Sequence, residues 1–423
     1  MTERVIIAYS NSITPIFAQK QCFILGISPY KCVIPCPIVS NTLIVKIEMD
    51  SETLSFLLEK PDLTDSEITV LLALSSPEDC ARLQLAAYEK TTRTLGSLVY
   101  YRGLIEISNI CTANCRYCGI RRDNRELRRY EMRAEQILEA ALWAARNGYG
   151  SVCLQAGERR DEKFIGFIES VLEAIHAQSV SEALPNGLGI TLSLGDQSEG
   201  TYQRWAAASG NPGALRYLSR FETSNPLLFD RLHSAKGANN KSLPRRLECL
   251  RTLRRCGYQV GTGVMIGIPG QRLEDLARDI RLFQELDVDM IGMGPYLKSS
   301  GSDMPQAGAR DAAAQLQLAL NMIAVTRLVM GPVNIAAATA LDVLDPRGRE
   351  LGILHGCNVI MPNISPRALR AGYQLYDNKS RLLDGPPMQE APLDERIERC
   401  GRQVGWNLPG SSVHYLSRTA ASL

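Results

Sequence analysis

Three cysteines within eight residues are the part of the sequence best suited to bind a metal. Cys111, Cys115 and Cys118 follow the spacing C-x3-C-x2-C in a segment without strand or helix periodicity, so all three thiols can face one centre. Thiolates are soft ligands that select zinc, copper(I) or iron–sulfur clusters. A structural zinc ion needs a fourth ligand, and none of the four histidines is near in sequence. Three ligands favour a cubane iron–sulfur cluster that leaves one iron open to a small molecule.

The residues around the cysteines predict the scaffold that positions them. From Gly103 onward, short apolar runs alternate with amphipathic helical patterns, which indicates a parallel sheet covered by helices. Eight such units in about 260 residues match an α/β fold, a complete (βα)8 TIM barrel, better than an open sheet. The predicted strands are 104–107, 151–155, 189–194, 217–222, 260–266, 290–293, 334–338 and 358–361.

A barrel of this kind brings the loops after its strands together at one mouth, where active sites form. The cysteines follow the first predicted strand, and Gly157 and Glu158 follow the second. Other polar or glycine-rich segments end the remaining strands, at 195–196, 220–223, 267–270, 294–296, 339 and 361–363. The sequence therefore predicts one functional site at the carboxyl ends of the strands.

The chain divides into four predicted regions. Residues 1–48 lack sustained periodicity and are expected to form a poorly ordered extension, although Cys32 and Cys36 leave a small metal-binding module open as an alternative. Residues 49–102 form a helical lead-in, with Asp50 or Ser51 as the first N-cap. The barrel is expected over 103–363, and 364–423 form a C-terminal tail.

Composition limits the possible partners and compartment. The 423 residues carry a formal net charge of only +2, which disfavours nucleic acid as a partner. In a chain of this length, 12 irregularly spaced cysteines indicate reduced thiols with a few metal ligands among them, and hence a cytoplasmic protein. No apolar run reaches the roughly 18 residues needed to span a bilayer. We therefore expect an enzyme with neither a nucleic-acid nor a membrane partner.

The cysteine segment resembles the signature of radical S-adenosylmethionine (SAM) enzymes, including the aromatic Tyr117 before the third cysteine. Over residues 50–378, the chain is similar in order to the HydE maturases of [FeFe]-hydrogenase. The similar segments are 118–124, 154–158, 191–195, 222–226, 265–271, 289–295, 358–363 and 373–376. The resemblance implies a [4Fe-4S] cluster on Cys111, Cys115 and Cys118, and reductive cleavage of SAM to a 5′-deoxyadenosyl radical.

The resemblance also implies roles for residues at the mouth. The expected SAM contacts are Tyr117, Gly157, Glu158, Ser193, Arg220, Glu222 and Arg246. The expected substrate contacts are Gln155, Arg216, Met265, Thr339, Tyr373 and Tyr376. Each role has a structural alternative. Gly157 and Glu158 could form a plain turn, Arg220 and Glu222 an ion pair, Met265 core packing, and Arg216 a solvated turn.

The implied substrate is a small cysteine-bound iron–carbonyl–cyanide unit. It would come from a tyrosine-cleaving radical maturase and pass to a scaffold GTPase, with a one-electron donor for the cluster. Departures from the family leave this substrate open, since Asp196, Ala338 and residues 298–305 replace its usual residues. A small organic substrate, as in biotin synthase or methylornithine synthase, is one alternative. A non-catalytic zinc-binding barrel is another. Only Cys400 follows Cys357, so no second cluster is expected there.

Overall fold

The computed structural model describes residues 50–211, 215–233, 241–302, 304, 311–379 and 392–421. Predictions for residues 1–48, including Cys32 and Cys36, lie outside this range. Eight parallel strands follow one another around a closed barrel, in the order β1-β2-β3-β4-β5-β7-β8-β9, and β9 pairs back onto β1. The predicted (βα)8 barrel is therefore confirmed. Two further short strands extend it, because β6 pairs with β7 and β10 pairs with β1.

Strand bounds explain where the mouth begins. The strands are β1 (Leu98–Ser108), β2 (Ser151–Ala156), β3 (Gly189–Ser193), β4 (Arg216–Leu218), β5 (Gln259–Thr262), β6 (Met265–Ile266), β7 (Met290–Pro295), β8 (Asn334–Ala337), β9 (Val359–Ile360) and β10 (Gln403–Val404). The first strand begins at Leu98, earlier than the predicted boundary at Gly103. The predicted fourth strand, 217–222, ends at Leu218, so Arg220 and Glu222 lie on the loop that follows.

The predicted fifth strand, 260–266, is interrupted. It forms β5 and β6, with Gly263 between them. A Cβ at Gly263 would lie 1.8 Å from the carbonyl oxygen of Gly292 on β7, so only glycine permits this approach of two backbones. The interruption displaces the end of this strand and brings Met265 beside the loop after β4, where its backbone N–H donates to the carbonyl of Glu222.

Helices cover the outside of the barrel, and the lead-in adds a further layer. They are α1 (Ser51–Glu59), α2 (Asp65–Leu72), α3 (Pro77–Leu95), α4 (Ala134–Arg146), α5 (Glu162–Ser179), α6 (Glu199–Ala208), α7 (Pro226–His233), α8 (Leu243–Arg255), α9 (Leu273–Glu285), α10 (Ala312–Met330), α11 (Ala340–Leu344), α12 (Gly348–Leu354), α13 (Arg367–Arg370), α14 (Leu393–Arg399) and α15 (Val413–Ala420). Asp50 caps α1 as predicted, and Ser76 caps α3 ahead of Pro77. The lead-in packs on α9 and α10, and its leucines join the barrel's main apolar core.

Helix α10 is the one helix in the described part of the chain that is long and apolar enough to suit a membrane span. That is weak evidence, since 61% of the apolar stretch is buried inside the protein. Its Arg327 is also fully buried, and the guanidinium donates to the carbonyls of Gly356 and Val333 at 2.8 to 2.9 Å. The helix therefore packs as a core element of the barrel.

The C-terminal tail closes the amino-terminal end of the barrel. After β10 the chain crosses this end, where the carbonyl oxygen of Gly410 accepts hydrogen bonds from Arg102 (3.1 Å) and Asn334 (2.9 Å). The carbonyl of Pro409 accepts from Arg216 at 2.7 Å. Because the tail covers this end, the polar loops at the opposite end form the open side of the barrel interior.

Candidate active site

The cysteine loop lies directly after β1 at the open end of the barrel. Its backbone is organised by Arg129, whose guanidinium donates to the carbonyls of Asn109, Ile120, Arg121 and Asn124 at 2.6 to 3.1 Å. Sequence reasoning did not identify this role, because an arginine in a charged loop gives no sign of which carbonyls it will bind. The clamp stabilises a loop that has no regular secondary structure.

The three thiols fit an iron–sulfur cluster. Burial raises the pKa of Cys118, and the neighbouring Cys115 and Cys111 raise it further. Cys115 is buried, whereas Cys111 and Cys118 are half-buried. Three thiolates so placed repel one another unless a cationic centre lies among them, which four iron ions provide. Within the described ranges, no three His, Cys, Asp or Glu side chains are grouped to bind a single metal ion.

Gly157 brings the end of β2 against the cysteine loop. A Cβ at this position would lie 2.4 Å from the carbonyl oxygen of Ile110 and 2.6 Å from Cβ of Cys111. The backbone N–H of the next residue, Glu158, donates to Sγ of Cys111 at 3.3 Å. The absence of a side chain thus allows a backbone donor to reach a cluster-binding sulfur.

Glu158 is the centre of a buried group of charges. Only 3% of its side chain is exposed, and its two carboxylate oxygens bind Arg160 at 3.0 Å and Lys241 at 2.8 Å. The backbone N–H of Asp196 donates to the same carboxylate at 3.1 Å. Lys241 was not identified from the sequence, because it lies far from Glu158 along the chain and just before α8. A carboxylate in this position can bind an ammonium group, which is what its predicted role toward SAM requires.

Arg246 binds Asp196, the residue that follows the loop glycine after β3. The two side chains form an ion pair at 2.8 Å with 8% and 3% exposure, and Ser219 donates to the same carboxylate at 2.9 Å. Burial raises the pKa of Asp196, but Arg246 and Lys241 outweigh it and hold the pKa below its ordinary value. Arg246 also contacts the carbonyl of Arg220. Through these two contacts Arg246 holds the loop after β4 in place.

Arg220 and Glu222 form an ion pair at the mouth, with 2.8 Å between Nη2 and Oε2. The hydroxyl of Tyr117 contacts the other oxygen of Glu222 at 3.3 Å, which links the pair to the cysteine loop. Glu222 has a φ of 68°, a left-handed backbone that costs a non-glycine residue about 1 kcal/mol or more. The structure therefore joins three of the predicted SAM contacts and holds one of them in a strained conformation.

Buried aspartates on α9 hold this strained turn in place. The backbone N–H of Ser224 donates to Asp279 at 2.6 Å, and the side-chain amide of Asn225 donates to Asp275 at 3.0 Å. Both carboxyl groups are fully buried, and burial raises the pKa of Asp279 to about 8. Apart from two aspartates one helical turn apart, nothing in the sequence indicates these anchors.

Predicted substrate residues line the interior next to the mouth. Gln155 and Ser193 are paired in register on β2 and β3, and Gln155 is paired with Glu106 on β1, so all three share the inward face. Glu106 has no exposure and forms an ion pair with Lys379, whose ammonium lies 4.8 Å from the ring centre of Tyr373. Neither member of this pair was identified from the sequence.

Tyr376, Thr339 and Met265 also lie at this end. Burial raises the pKa of Tyr376, and the negative charge of Glu106 raises it further. Thr339 precedes α11, and its hydroxyl makes no capping hydrogen bond. Met265 packs with Leu232, Ile268, Tyr296 and Met304 in a small apolar cluster against Tyr117. This packing agrees with the core alternative for Met265.

Arg216 is not at the mouth. It lies on β4 at the closed end, fully buried, where it donates to Pro409 and contacts Ser411 at 3.2 Å. The alternative of a solvated turn is therefore wrong, because the fourth strand begins at this residue and turns its side chain inward. Arg102 lies near it, and both arginines have buried N–H groups without a hydrogen-bond partner in the described ranges.

Comparisons with known proteins agree with this geometry. Residues 105–283 match the radical SAM superfamily. The [FeFe] hydrogenase maturase subunit HydE from Thermotoga maritima is 36% identical over 348 residues, covering 82% of this chain and 94% of that protein. The 3-methylornithine synthase of Methanosarcina barkeri is 28% identical over 76% of this chain and 85% of that protein. The structure of the maturase HydG from Carboxydothermus hydrogenoformans shares the fold, with a TM-score of 0.66 at 18% identity over 84% of this chain and 80% of that one.

Proposed function

The chain belongs to the HydE family of radical SAM enzymes, and we propose that it acts in assembling the di-iron subcluster of [FeFe]-hydrogenase. A [4Fe-4S] cluster and SAM are the cofactors of this family. The observation that carries the proposal is the convergence of three thiols, the Glu158 carboxylate and the Arg220–Glu222 pair at one mouth. A barrel without an active site would not need these groups together at one end.

Different residues of this chain would bind the cluster and SAM. Cys111, Cys115 and Cys118 would hold the cluster, which supplies the electron that cleaves the sulfonium of SAM. Glu158 would bind the amino group of SAM, and its buried position would exclude competing water. Arg220, 31% exposed at the side chain, and Glu222 would contact the rest of the molecule. Tyr117 and Ser193 would complete the pocket, with Arg246 holding its wall.

The barrel interior supports a small anionic substrate. We propose the cysteine-bound iron–carbonyl–cyanide precursor, surrounded by Gln155, Met265, Thr339, Tyr373 and Tyr376. Arg216, with Arg102 beside it, would attract the anionic end toward the closed side of the barrel. The buried N–H groups of both arginines would then gain acceptors. A one-electron donor serves the cluster, and the proposed protein partners are a tyrosine-cleaving maturase and a scaffold GTPase in the cytoplasm.

Anaerobic reconstitution tests the cluster assignment. The wild-type protein should bind about four irons with sulfide and form 5′-deoxyadenosine from SAM with dithionite, whereas Cys115→Ala should lose both properties. Cys400→Ala is the matched control, because Cys400 and Cys115 are equally buried at 8% exposure. Equal formation of 5′-deoxyadenosine by the wild type and Cys115→Ala would refute the assignment.

Activation of apo-hydrogenase in a defined mixture of maturases tests the biological role. The mixture should activate the hydrogenase only when this protein and SAM are both present. A protein that cleaves SAM but leaves the hydrogenase inactive would favour the small organic substrate instead. The 28% identity to a methylornithine synthase makes this the relevant second candidate.

A further inference from the structure

Lys241 is a buried cation beside the cysteine loop. Only 9% of its side chain is exposed, and its ammonium lies 2.8 Å from the Glu158 carboxylate. It directly precedes Ser242, the N-cap of α8, which fixes the start of that helix. A lysine is rarely buried unless it is paired, so its position at the cluster end of the barrel calls for an explanation.

The backbone of Glu158 fixes this ammonium relative to the cluster ligands. Its N–H donates to Sγ of Cys111 at 3.3 Å, and its carbonyl accepts from the N–H and the hydroxyl of Thr112, both at 2.9 Å. Burial lowers the pKa of Lys241, but nearby acidic groups, Cys115 first among them, raise it above its ordinary value. Lys241 therefore keeps its charge in the ion pair with Glu158.

The charge at this site changes when the cluster is reduced. A [4Fe-4S] cluster on three thiolates carries a net charge of −1 when oxidised and −2 when reduced. A buried cation stabilises the second state more than the first, since little water is present to screen it. Arg246, the other buried cation nearby, is paired with Asp196 and with a backbone carbonyl. Lys241 is thus a buried cation bound to Glu158, whose own backbone N–H donates to a cluster ligand.

We propose that Lys241 stabilises the reduced cluster and thereby raises its midpoint potential, an inference that rests on the proposed function. In this step the cluster accepts one electron from the external donor, and no bond to Lys241 forms or breaks. The lysine acts as a positioning and electrostatic residue, and it does not contact the reacting atoms. Its effect is on how readily the cluster is reduced.

A redox titration monitored by electron paramagnetic resonance, without SAM, tests this role. Lys241→Gln should make reduction at least tenfold less favourable, a shift of the midpoint potential by about 59 mV to more negative values for one electron. Lys241→Arg should retain the wild-type potential because it retains the charge. Lys60→Gln is the matched control, since Lys60 also pairs with a glutamate, Glu67, at 2.8 Å but in the lead-in on the outside of the barrel.

Two further measurements keep the test decisive. Lys241→Met removes the charge and the hydrogen bond, and Glu158 keeps Arg160 as a partner in both neutral variants. If charge is the cause, the Met and Gln variants shift the potential equally. A shift seen only after SAM is added would mean that Lys241 binds SAM, and would overturn the proposal.

The outcomes separate this inference from the proposed function. A wild-type protein that assembles no cluster, or that cleaves no SAM, refutes the proposed function. A protein that assembles the cluster and cleaves SAM, but whose potential is unchanged in Lys241→Gln, refutes only the role of Lys241. An equal shift in Lys60→Gln would also refute it, because the effect would then follow the net charge of the protein.

Discussion

Gly157→Ala should damage the cluster site without disturbing the barrel as a whole. The new methyl group would lie 2.4 Å from the carbonyl oxygen of Ile110 and 2.6 Å from Cβ of Cys111. Carbon atoms pack at about 3.5 to 4.0 Å, so the cysteine loop must move by about 1 Å. A displacement of that size at a catalytic site costs about 100-fold in rate. The unfolding free energy should fall by about 1 to 3 kcal/mol from overpacking.

The matched control is Gly166→Ala on α5. A Cβ there meets no atom closer than 3.8 Å, the carboxylate of Glu169. Alanine within a helix is more stable than glycine by about 0.5 to 1 kcal/mol, so this variant should be slightly more stable and fully active. The two variants add the same methyl group, and they differ only in what that group contacts.

Iron content, the rate of 5′-deoxyadenosine formation and anaerobic urea unfolding should be measured for both variants. Gly157→Ala should lose rate by about 100-fold, with a smaller loss of stability. A rate within twofold of the wild type would refute the reasoning, because it would mean that the cysteine loop need not approach β2 so closely. A comparable loss in Gly166→Ala would show that the rate responds to any added methyl group.

Three further predictions test buried charge and backbone strain. Lys379→Met should lower the urea unfolding free energy by about 3 to 5 kcal/mol, because it leaves the buried Glu106 carboxylate without a cation, and adding Glu106→Gln should recover most of this loss. Burial raises the pKa of Asp279 to about 8, so the folded protein keeps a proton that the unfolded chain loses above about pH 4. Between about pH 5 and 8, the unfolding free energy of the wild type, measured with urea, should fall by about 1.4 kcal/mol per pH unit relative to that of Asp279→Asn. A difference between the two proteins that does not change with pH would contradict this prediction. Glu222→Gly should be about 1 kcal/mol more stable than Glu222→Ala, since glycine relieves the left-handed backbone, while calorimetry should show weaker SAM binding in both.

Local sequence signals predicted the parts of the structure that depend on neighbouring residues. The cap at Asp50 and the helix after Pro77 follow from residues within one turn, and the barrel follows from alternating apolar patterns. The cysteine motif is likewise short. Such features can be predicted without knowledge of distant contacts, because the residues that signal each one are neighbours in the sequence.

Contacts between distant segments could not be predicted in this way. Nothing in the sequence indicates that Lys241 pairs with Glu158, or that Arg246 turns to Asp196. Both pairings arise because the barrel brings the loops after β2 and β3 beside the start of α8. The loop after β4 was predicted as strand because alternation continues to Glu222. Tertiary contacts impose the positive φ of Glu222, and the alternation of apolar residues in the sequence does not reveal it.

The placement of charge inside the barrel bears on the substrate. At the mouth, buried charges occur in opposite pairs, such as Glu158 with Lys241 and Glu106 with Lys379. At the closed end, Arg102 and Arg216 are bound by carbonyl, hydroxyl and thioether groups, and no carboxylate pairs with either in the described ranges. Burial lowers the pKa of both, that of Arg102 to about 10. An uncompensated guanidinium pair in a closed interior is costly unless an anion binds between or near them. The electric field around these two arginines therefore favours an anion over a neutral molecule at the closed end of the barrel.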